Sequence, residues 1–256
     1  MKFVFAVLFV FVSTLSMSCA KSEKFSAFEY EANDGLVDNP ATNPQNPPSP
    51  SNPNPGQGPV SGDYSKMEAV SWEAKAPSRR TWSHVVYKVI EAEEPQMLAE
   101  TPADDISEFC PRYRDMNKSQ RLNFWGELIS AMSYFEASWK PTTRFWEKSM
   151  GIDPVTGQNV YSEGLLQLSY QDTRAYKFCE FDWSKDKHLA ATDPNKTIFD
   201  PAKNLRCGVK ILALQLKKQK YIGASKGVYW AVLYRGNSRN KIAEISRMTR
   251  SLSFCE

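Results

Sequence analysis

The sequence has little of what metal centres and nucleic-acid-binding proteins need. Its 256 residues include two histidines, His84 and His188, and no Cys-x-x-Cys pair, so the ligand spacing typical of zinc sites is missing. The formal net charge is only +3. That charge is too small to indicate a nucleic-acid partner, although it would not repel an anionic polymer. We therefore expect no metal, no cofactor and no nucleic acid in its function.

A long apolar run is missing as well. The apolar stretch at residues 3–12 is too short for a membrane-spanning helix and is typical of a secretory signal peptide. Cleavage after Ala20 would give a signal peptide of residues 1–20. Alternatively, residues 15–19 resemble an imperfect lipobox, in which Cys19 would be lipidated. The two alternatives have about equal weight, and both predict a secreted or periplasmic protein, membrane-anchored in the second case.

Residues 21–63 have the composition of a disordered linker. Positions 39–59 hold eight of the sixteen prolines and five asparagines, without any aliphatic periodicity. Such a stretch buries too little apolar surface to fold and forms an extended spacer. No internal repeat is evident. We therefore expect one folded domain in residues 64–256.

The first part of this domain is expected to be a helical extension. A stripe at helical spacing consists of Trp82, Val85, Val86, Val89 and Ile90. Residues 91–111 are acidic and indicate a loop with a short helix at 104–109. We expect residues 64–116 to be a structural cap on the rest of the domain, with a substrate-gating role as the alternative.

The next helix carries the residue on which the functional prediction rests. Residues 117–139 have an apolar stripe that includes Leu122, Trp125, Ile129 and Met132. An Asn-x-x-Gln capping box predicts its start at Asn117, and Pro141 its end. Glu136 follows Met132 by four residues and therefore continues the stripe. Partial burial would raise the pKa of this carboxyl, as a general acid requires, but structural ion pairs are the more common role of such acids.

Three motifs in a fixed order favour the catalytic role. Residues 136–141 read Glu-x-Ser-aromatic-x-Pro, residues 162–167 small-x-Gly-Leu-Leu-Gln, and residues 200–208 Asp-Pro-x-x-Asn-Leu-x-x-Gly. Together they resemble the SLT lytic transglycosylase and goose-type lysozyme-like families over residues 117–245, about half of the chain. The resemblance is strongest to a secreted, cysteine-containing branch that includes lysozymes of predatory bacteria.

The resemblance implies a mainly α-helical fold of the α+β lysozyme-like class. A helical core would carry a small β-hairpin wing beside the catalytic helix. Residues 142–162 should form this wing, with a turn at Asp-Pro-x-x-Gly, residues 153–157. A helix over residues 203–219 should be capped by Asp200, and Asn204 is expected to fix the wing.

The resemblance implies one catalytic acid and leaves a second carboxylate open, because lytic transglycosylases use a single acid whereas goose-type lysozymes place further acids in the wing. Glu136 would be the general acid. Glu147, eleven residues later at the base of the wing, is our candidate for the base that positions water, with a surface ion pair as the alternative. The candidate substrate-binding residues are Ser162, Gly164, Gln167 and Tyr234.

These binding residues have different expected roles. Gly164 should open a helix where the backbone passes close to bound sugar, and Gln167 should bond an acetamido group or hydroxyl. Tyr234 matches the place of a family tyrosine that reaches the catalytic acid, and a shift in register would transfer this role to Tyr229. Glu163 is expected at the surface or rim of the site. Sugar stacking is considered for Trp139, Phe145 and Trp146, although hydrophobic packing is favoured.

Loss of the leader or lipidation of Cys19 leaves four cysteines, and an even number in an exported protein indicates two disulfides. Of the three possible pairings we favour Cys179 with Cys207, both in the motif region, and Cys110 with Cys255, which would join the start of the domain to its end. Free buried thiols are the alternative.

The expected activity is glycosidic cleavage of peptidoglycan at the β-1,4 bond between N-acetylmuramic acid and N-acetylglucosamine. Hydrolysis by a monomeric lysozyme is slightly favoured, with a preference for modified or deacetylated glycan left open. Lytic transglycosylation, giving 1,6-anhydro products, is the first alternative. The second is a non-catalytic protein that binds cell-wall glycan strands.

Overall fold

The computed structural model describes residues 64–256. The expected signal peptide, the linker and Cys19 lie outside these residues. The α-helices are α1 (Ser71–Lys75), α2 (Arg80–Glu93), α3 (Ile106–Phe109), α4 (Lys118–Ala137), α5 (Asp172–Ala175), α6 (Trp183–Asp186), α7 (Pro201–Gln219) and α8 (Ile242–Arg250). The strands are β1 (Arg144–Trp146) and β2 (Tyr161–Glu163). The fold is therefore mainly α-helical with one small hairpin, as predicted.

Helix α4 lies at the centre of the molecule. Its capping box is formed as predicted. Gln120 N donates to Asn117 Oδ1, and Asn117 N donates to Gln120 Oε1, both at 3.0 Å. The middle of the helix, residues 122–133, is buried on every side and not only along its apolar stripe. Even the polar residues Asn123 and Glu127 are each only 1% exposed. The stripe alone did not predict this. The physical reason is that α2 and α8 both pack against α4.

A single hydrophobic core extends from Tyr64 to Cys255. Helix α2 packs against both α4 and α7, and α8 packs against α4 and α3, so the N-terminal extension is part of the same core. Disulfides join Cys110 to Cys255 and Cys179 to Cys207. Both favoured pairings are therefore confirmed.

The predicted wing is present. Strands β1 and β2 pair antiparallel, with Phe145 opposite Ser162. At the far end of the hairpin, buried Asp153 accepts bonds from Val155 N at 2.7 Å and Gln171 N at 3.0 Å. This carboxylate therefore holds the turn of the wing against the chain that follows the hairpin. None of the helices within residues 64–256 has the length and apolarity needed to cross a membrane.

Candidate active site

The chain turns sharply directly after Glu136, which is partly exposed at the end of α4. Ser138 and Trp139 both have left-handed backbone, with φ of 49° and 57°, a conformation uncommon for residues other than glycine. Ser138 N donates to Tyr134 O at 2.8 Å. The Trp139 indole turns back along α4 and donates from Nε1 to Ser130 O at 2.8 Å. Contacts from α4 itself therefore help to fix the turn.

The hairpin is attached to this helix end through Thr143. Its Oγ1 donates to Ala137 O at 3.2 Å, one residue after Glu136. Its carbonyl oxygen accepts bonds from Gly164 N at 2.9 Å and from Gln167 Nε2 at 3.3 Å. The end of α4, the start of β1 and the turn after β2 are thus one hydrogen-bonded unit.

Glu147 follows β1 and is 8% exposed. Ser162 on β2 donates from Oγ to Glu147 Oε1 at 2.6 Å, and Glu147 N donates to Val160 O at 3.0 Å. This burial excludes the surface position that a surface ion pair requires. Ser162, predicted as a substrate-binding residue, orients the Glu147 carboxylate across the hairpin.

The turn after β2 is held by α7. Buried Asn204 accepts at Oδ1 from Leu166 N at 2.9 Å and donates from Nδ2 to Glu163 O and Ile198 O, at 3.2 and 3.0 Å. Gly164 has φ of 83°, and a Cβ there would meet the Asn204 side chain and Ile198 O. The prediction that Gly164 opens a helix is therefore wrong. This glycine is needed for a turn and for close contact with Asn204, which fixes the wing as expected.

Gln167 has a part in the same turn. Its backbone is left-handed, with φ of 48°, and its Nε2 donates to Gly164 O at 2.9 Å as well as to Thr143 O. The amide nitrogen is bound by backbone carbonyls and is not left to donate to a sugar. Gln167 thus helps to close the turn, and the predicted sugar contact stays a prediction, in which Oε1 would accept the bond.

Tyr229, the alternative register, is electrostatically coupled to Glu136. Burial and then Asp172 raise the pKa of Tyr229 well above its usual value, and Glu136 adds to the shift. Tyr229 OH donates to Asp172 Oδ2 at 2.6 Å, and Ser169 N donates to the same oxygen at 2.7 Å. Tyr234 instead pairs with Ala224 in an isolated bridge.

Glu163 is 3% exposed, so its expected position at the surface is wrong. Arg144, opposite it in the hairpin, donates from Nε to Glu163 Oε1 at 3.0 Å. Burial raises the pKa of Glu163, and Arg144 opposes the rise. The Arg144 guanidinium also lies over the Tyr161 ring, 3.1 Å from its centroid. This acid therefore belongs to a buried ion pair inside the wing.

The aromatic residues divide into two groups. Trp139 packs against the core, as favoured from the sequence. Phe145 and Trp146 on β1 are 51% and 43% exposed, so hydrophobic packing does not explain them. Ile152 in the same wing is 61% exposed. The wing thus exposes three large apolar side chains, and Phe145 and Trp146, as neighbours on β1, point to opposite faces of the hairpin.

Within residues 64–256, no group of three or more His, Cys, Asp or Glu side chains is arranged to hold a metal ion. The chemistry that the arrangement itself offers is that of carboxylates. Glu136 stands at a strained helix end and is electrostatically coupled to Tyr229, and Glu147 is oriented in the attached hairpin by Ser162. These features define a mainly α-helical protein with a candidate acid–base site between its central helix and a wing.

The structure is similar to solved structures of Bd0314 DslA, a Bdellovibrio protein. The wild-type form is 29% identical with a TM-score of 0.60, and the match covers 73% of this chain and 98% of DslA. Two DslA variants, each with one glutamate replaced by glutamine, are 28% and 30% identical with TM-scores of 0.60 and 0.59. Each of these two matches covers 73% of this chain and 97% of the DslA variant.

The chain therefore belongs to the same family as DslA. No protein-family model matches the sequence, and a search of curated proteins finds no match.

Proposed function

We propose that the protein is a glycosidase that cleaves the β-1,4 bond between N-acetylmuramic acid and N-acetylglucosamine in peptidoglycan. The observation that carries the proposal is the attachment of the hairpin to the end of α4 through Thr143. This attachment fixes the wing that bears Glu147 relative to the helix end that bears Glu136. Two carboxylates on opposite walls of a cleft are the usual arrangement of a glycosidase.

The DslA variants support the choice of these two acids. The two glutamates replaced in DslA lie eleven positions apart, and Glu136 and Glu147 are eleven residues apart here. Glutamine keeps the size of the side chain but removes the carboxyl group that gives or takes a proton. The equal spacing is what a shared pair of functional acids predicts.

In the proposed reaction, Glu136 gives its proton to the glycosidic oxygen as the bond to the anomeric carbon breaks. Glu147 takes a proton from a water molecule that attacks this carbon from the opposite face. The product is a reducing sugar with inverted configuration. Glu136 then regains its proton from solvent and Glu147 releases one, so that both acids return to their starting state.

Lytic transglycosylation is the second candidate. The observation that favours it is the bond from Ser162 Oγ to Glu147 Oε1, because it leaves fewer acceptor positions on Glu147 for a water. In that reaction Glu136 alone provides acid and base catalysis. The 6-hydroxyl of the muramic acid attacks the anomeric carbon and forms a 1,6-anhydro product.

The proposal includes an exported, monomeric protein that acts on peptidoglycan glycan strands. Two disulfides and the absence of a membrane-spanning helix in residues 64–256 are consistent with a secreted or periplasmic location. Anchoring through a lipid at Cys19, instead of cleavage after Ala20, is the part of the proposal that lies outside the described residues.

The proposal is tested by incubating purified protein with insoluble peptidoglycan, native and chemically deacetylated, and measuring both bound protein and solubilised glycan. The wild type is expected to solubilise glycan, and Glu136→Gln to do so about 10²–10⁴-fold more slowly, the usual contribution of a general acid. Glu147→Gln is expected to slow release without abolishing binding. Glu100→Gln, on a side chain that is 77% exposed, is the matched control.

Binding without any solubilisation by the wild type, on either substrate, would contradict the enzymatic proposal. The protein would then be a non-catalytic cell-wall-binding protein or scaffold.

A further inference from the structure

The N-terminal extension is bonded to the side of α4. Ser71 donates from its backbone N to Glu127 Oε2 at 2.7 Å and from Oγ to Glu127 Oε1 at 2.6 Å. The next residue, Trp72, donates from its backbone N to Ser130 Oγ at 3.0 Å. These bonds fix the start of the extension over the middle of the helix that ends at the candidate acid.

The turn after the candidate acid returns to the same helical position. Ser130, whose hydroxyl accepts the bond from the extension, also accepts at its carbonyl oxygen the bond from the Trp139 indole. The extension and the segment that follows Glu136 therefore meet on one turn of α4. Because both segments are bonded to Ser130, a displacement of the extension is expected to move the segment after Glu136 as well.

Arg79 makes the contact between them. Its guanidinium carbon lies 5.2 Å from the centroid of the Trp82 ring and 5.7 Å from that of Trp139, within the range of a cation–π interaction. Its Nη2 donates to Trp139 O at 3.4 Å. Arg79 thus holds both the ring and the backbone carbonyl of a residue in the left-handed turn.

This placement is costly for the arginine. Its Nη1 is buried and has no hydrogen-bond partner, and an unsatisfied donor on a charged group is unfavourable. The left-handed backbone of Ser138 and of Trp139 adds local strain. Strained backbone of this kind persists only where surrounding contacts hold it in place. The contacts of Arg79 with Trp139 are among these contacts.

We propose that Arg79 is a positioning residue: by holding the Ser138–Trp139 turn it fixes the orientation of Glu136. The role rests on the proposed function of Glu136. The N-terminal extension is then more than a cap or a gate, because it supplies a support for the end of the catalytic helix.

The test compares Arg79→Ala with Arg80→Ala in the full protein. Arg80 comes from the same segment but donates to Tyr64 O and pairs with Glu73, so it is the matched control. Arg79→Ala is expected to lower kcat for glycan release by about tenfold or more with little change in KM, as small displacements of catalytic groups do. Arg80→Ala should leave kcat unchanged, and Arg79→Lys should recover part of the loss because it keeps the charge.

A second readout does not depend on activity. Amide hydrogen exchange in Arg79→Ala should become faster in the peptide covering residues 137–143 and stay unchanged in α7. The positioning role is refuted if Arg79→Ala exchanges and cleaves like the wild type, or if Arg80→Ala reproduces its effects. If the exchange changes as expected but the wild type itself cleaves nothing, the proposed function fails while the structural support by Arg79 stands.

Discussion

Glu127 gives the sharpest prediction about stability. It is 1% exposed in the middle of α4, and burial raises its pKa to about 7, with Glu68 and Glu73 adding to the shift and the bonds from Ser71 opposing it. The unfolded chain gives this carboxyl its usual pKa of 4.5. Replacement by glutamine is the informative change, because an amide can accept from Ser71 N and donate to Ser71 Oγ, as the protonated acid can.

The size of the effect follows from the shift. A rise from 4.5 to about 7 corresponds to about 3 kcal/mol, at about 1.4 kcal/mol for each unit of pKa. Between these two values the folded protein keeps the proton that the unfolded chain loses, so stability falls as pH rises through this window. Above it Glu127 is ionised in both states and the full loss has been reached.

The assay is urea unfolding of the wild type and Glu127→Gln, with disulfides intact, at pH values from about 4 to 8. The two proteins should be about equally stable at the acidic end, and the variant should be more stable by up to about 3 kcal/mol at the alkaline end. Glu100→Gln, an exposed position, should follow the wild type throughout. Parallel curves for the wild type and Glu127→Gln would refute the reasoning.

Three further predictions concern the wing and the tyrosine. Gly164→Ala should destabilise the fold by about 1–3 kcal/mol from backbone strain alone, and by more through its clash with Asn204. Gly151 has φ of 73° and open space around it, so in the same urea unfolding assay Gly151→Ala should lose only the stability that backbone strain removes. Trp146→Ala should weaken co-sedimentation with peptidoglycan and leave the unfolding midpoint unchanged. A lower midpoint would mean that the Trp146 ring packs against the fold and does not serve to bind glycan. Tyr229→Phe should slow glycan release while the protein stays folded; unchanged release would remove Tyr229 from the site.

The parts predicted from the sequence depend on short stretches of chain. The capping box at Asn117 needs residues only three apart, and the hairpin follows from its turn at 153–157 and the neighbouring apolar residues. The two disulfides could be predicted because four cysteines allow only three pairings. Local chemistry of this kind is determined by the sequence itself.

The parts that were missed depend on contacts between distant residues. The bonds from Ser71 to Glu127 span 56 positions, and the bond from Tyr229 to Asp172 spans 57. Nothing in either local stretch indicates its partner. Glu163 was expected outside because its burial depends on Arg144 across the hairpin, a pairing set by the register of the strands.

The sequence left the choice between Tyr234 and Tyr229 open for a related reason. Both tyrosines lie in one aromatic stretch, and the resemblance did not fix the register. Tyr229 is distinguished by its bond to Asp172, and the sequence does not indicate this pair. Only the fold brings that acid to Tyr229.

The most direct test of the central claim is mass spectrometry of the fragments released from purified peptidoglycan by the wild type and by Glu136→Gln. We expect fragments that end in reducing muramic acid, released by the wild type and lost in Glu136→Gln. Fragments ending in 1,6-anhydromuramic acid would retain Glu136 as the acid but remove Glu147 as the base. Release that persists in Glu136→Gln, or no release by the wild type, would contradict the account.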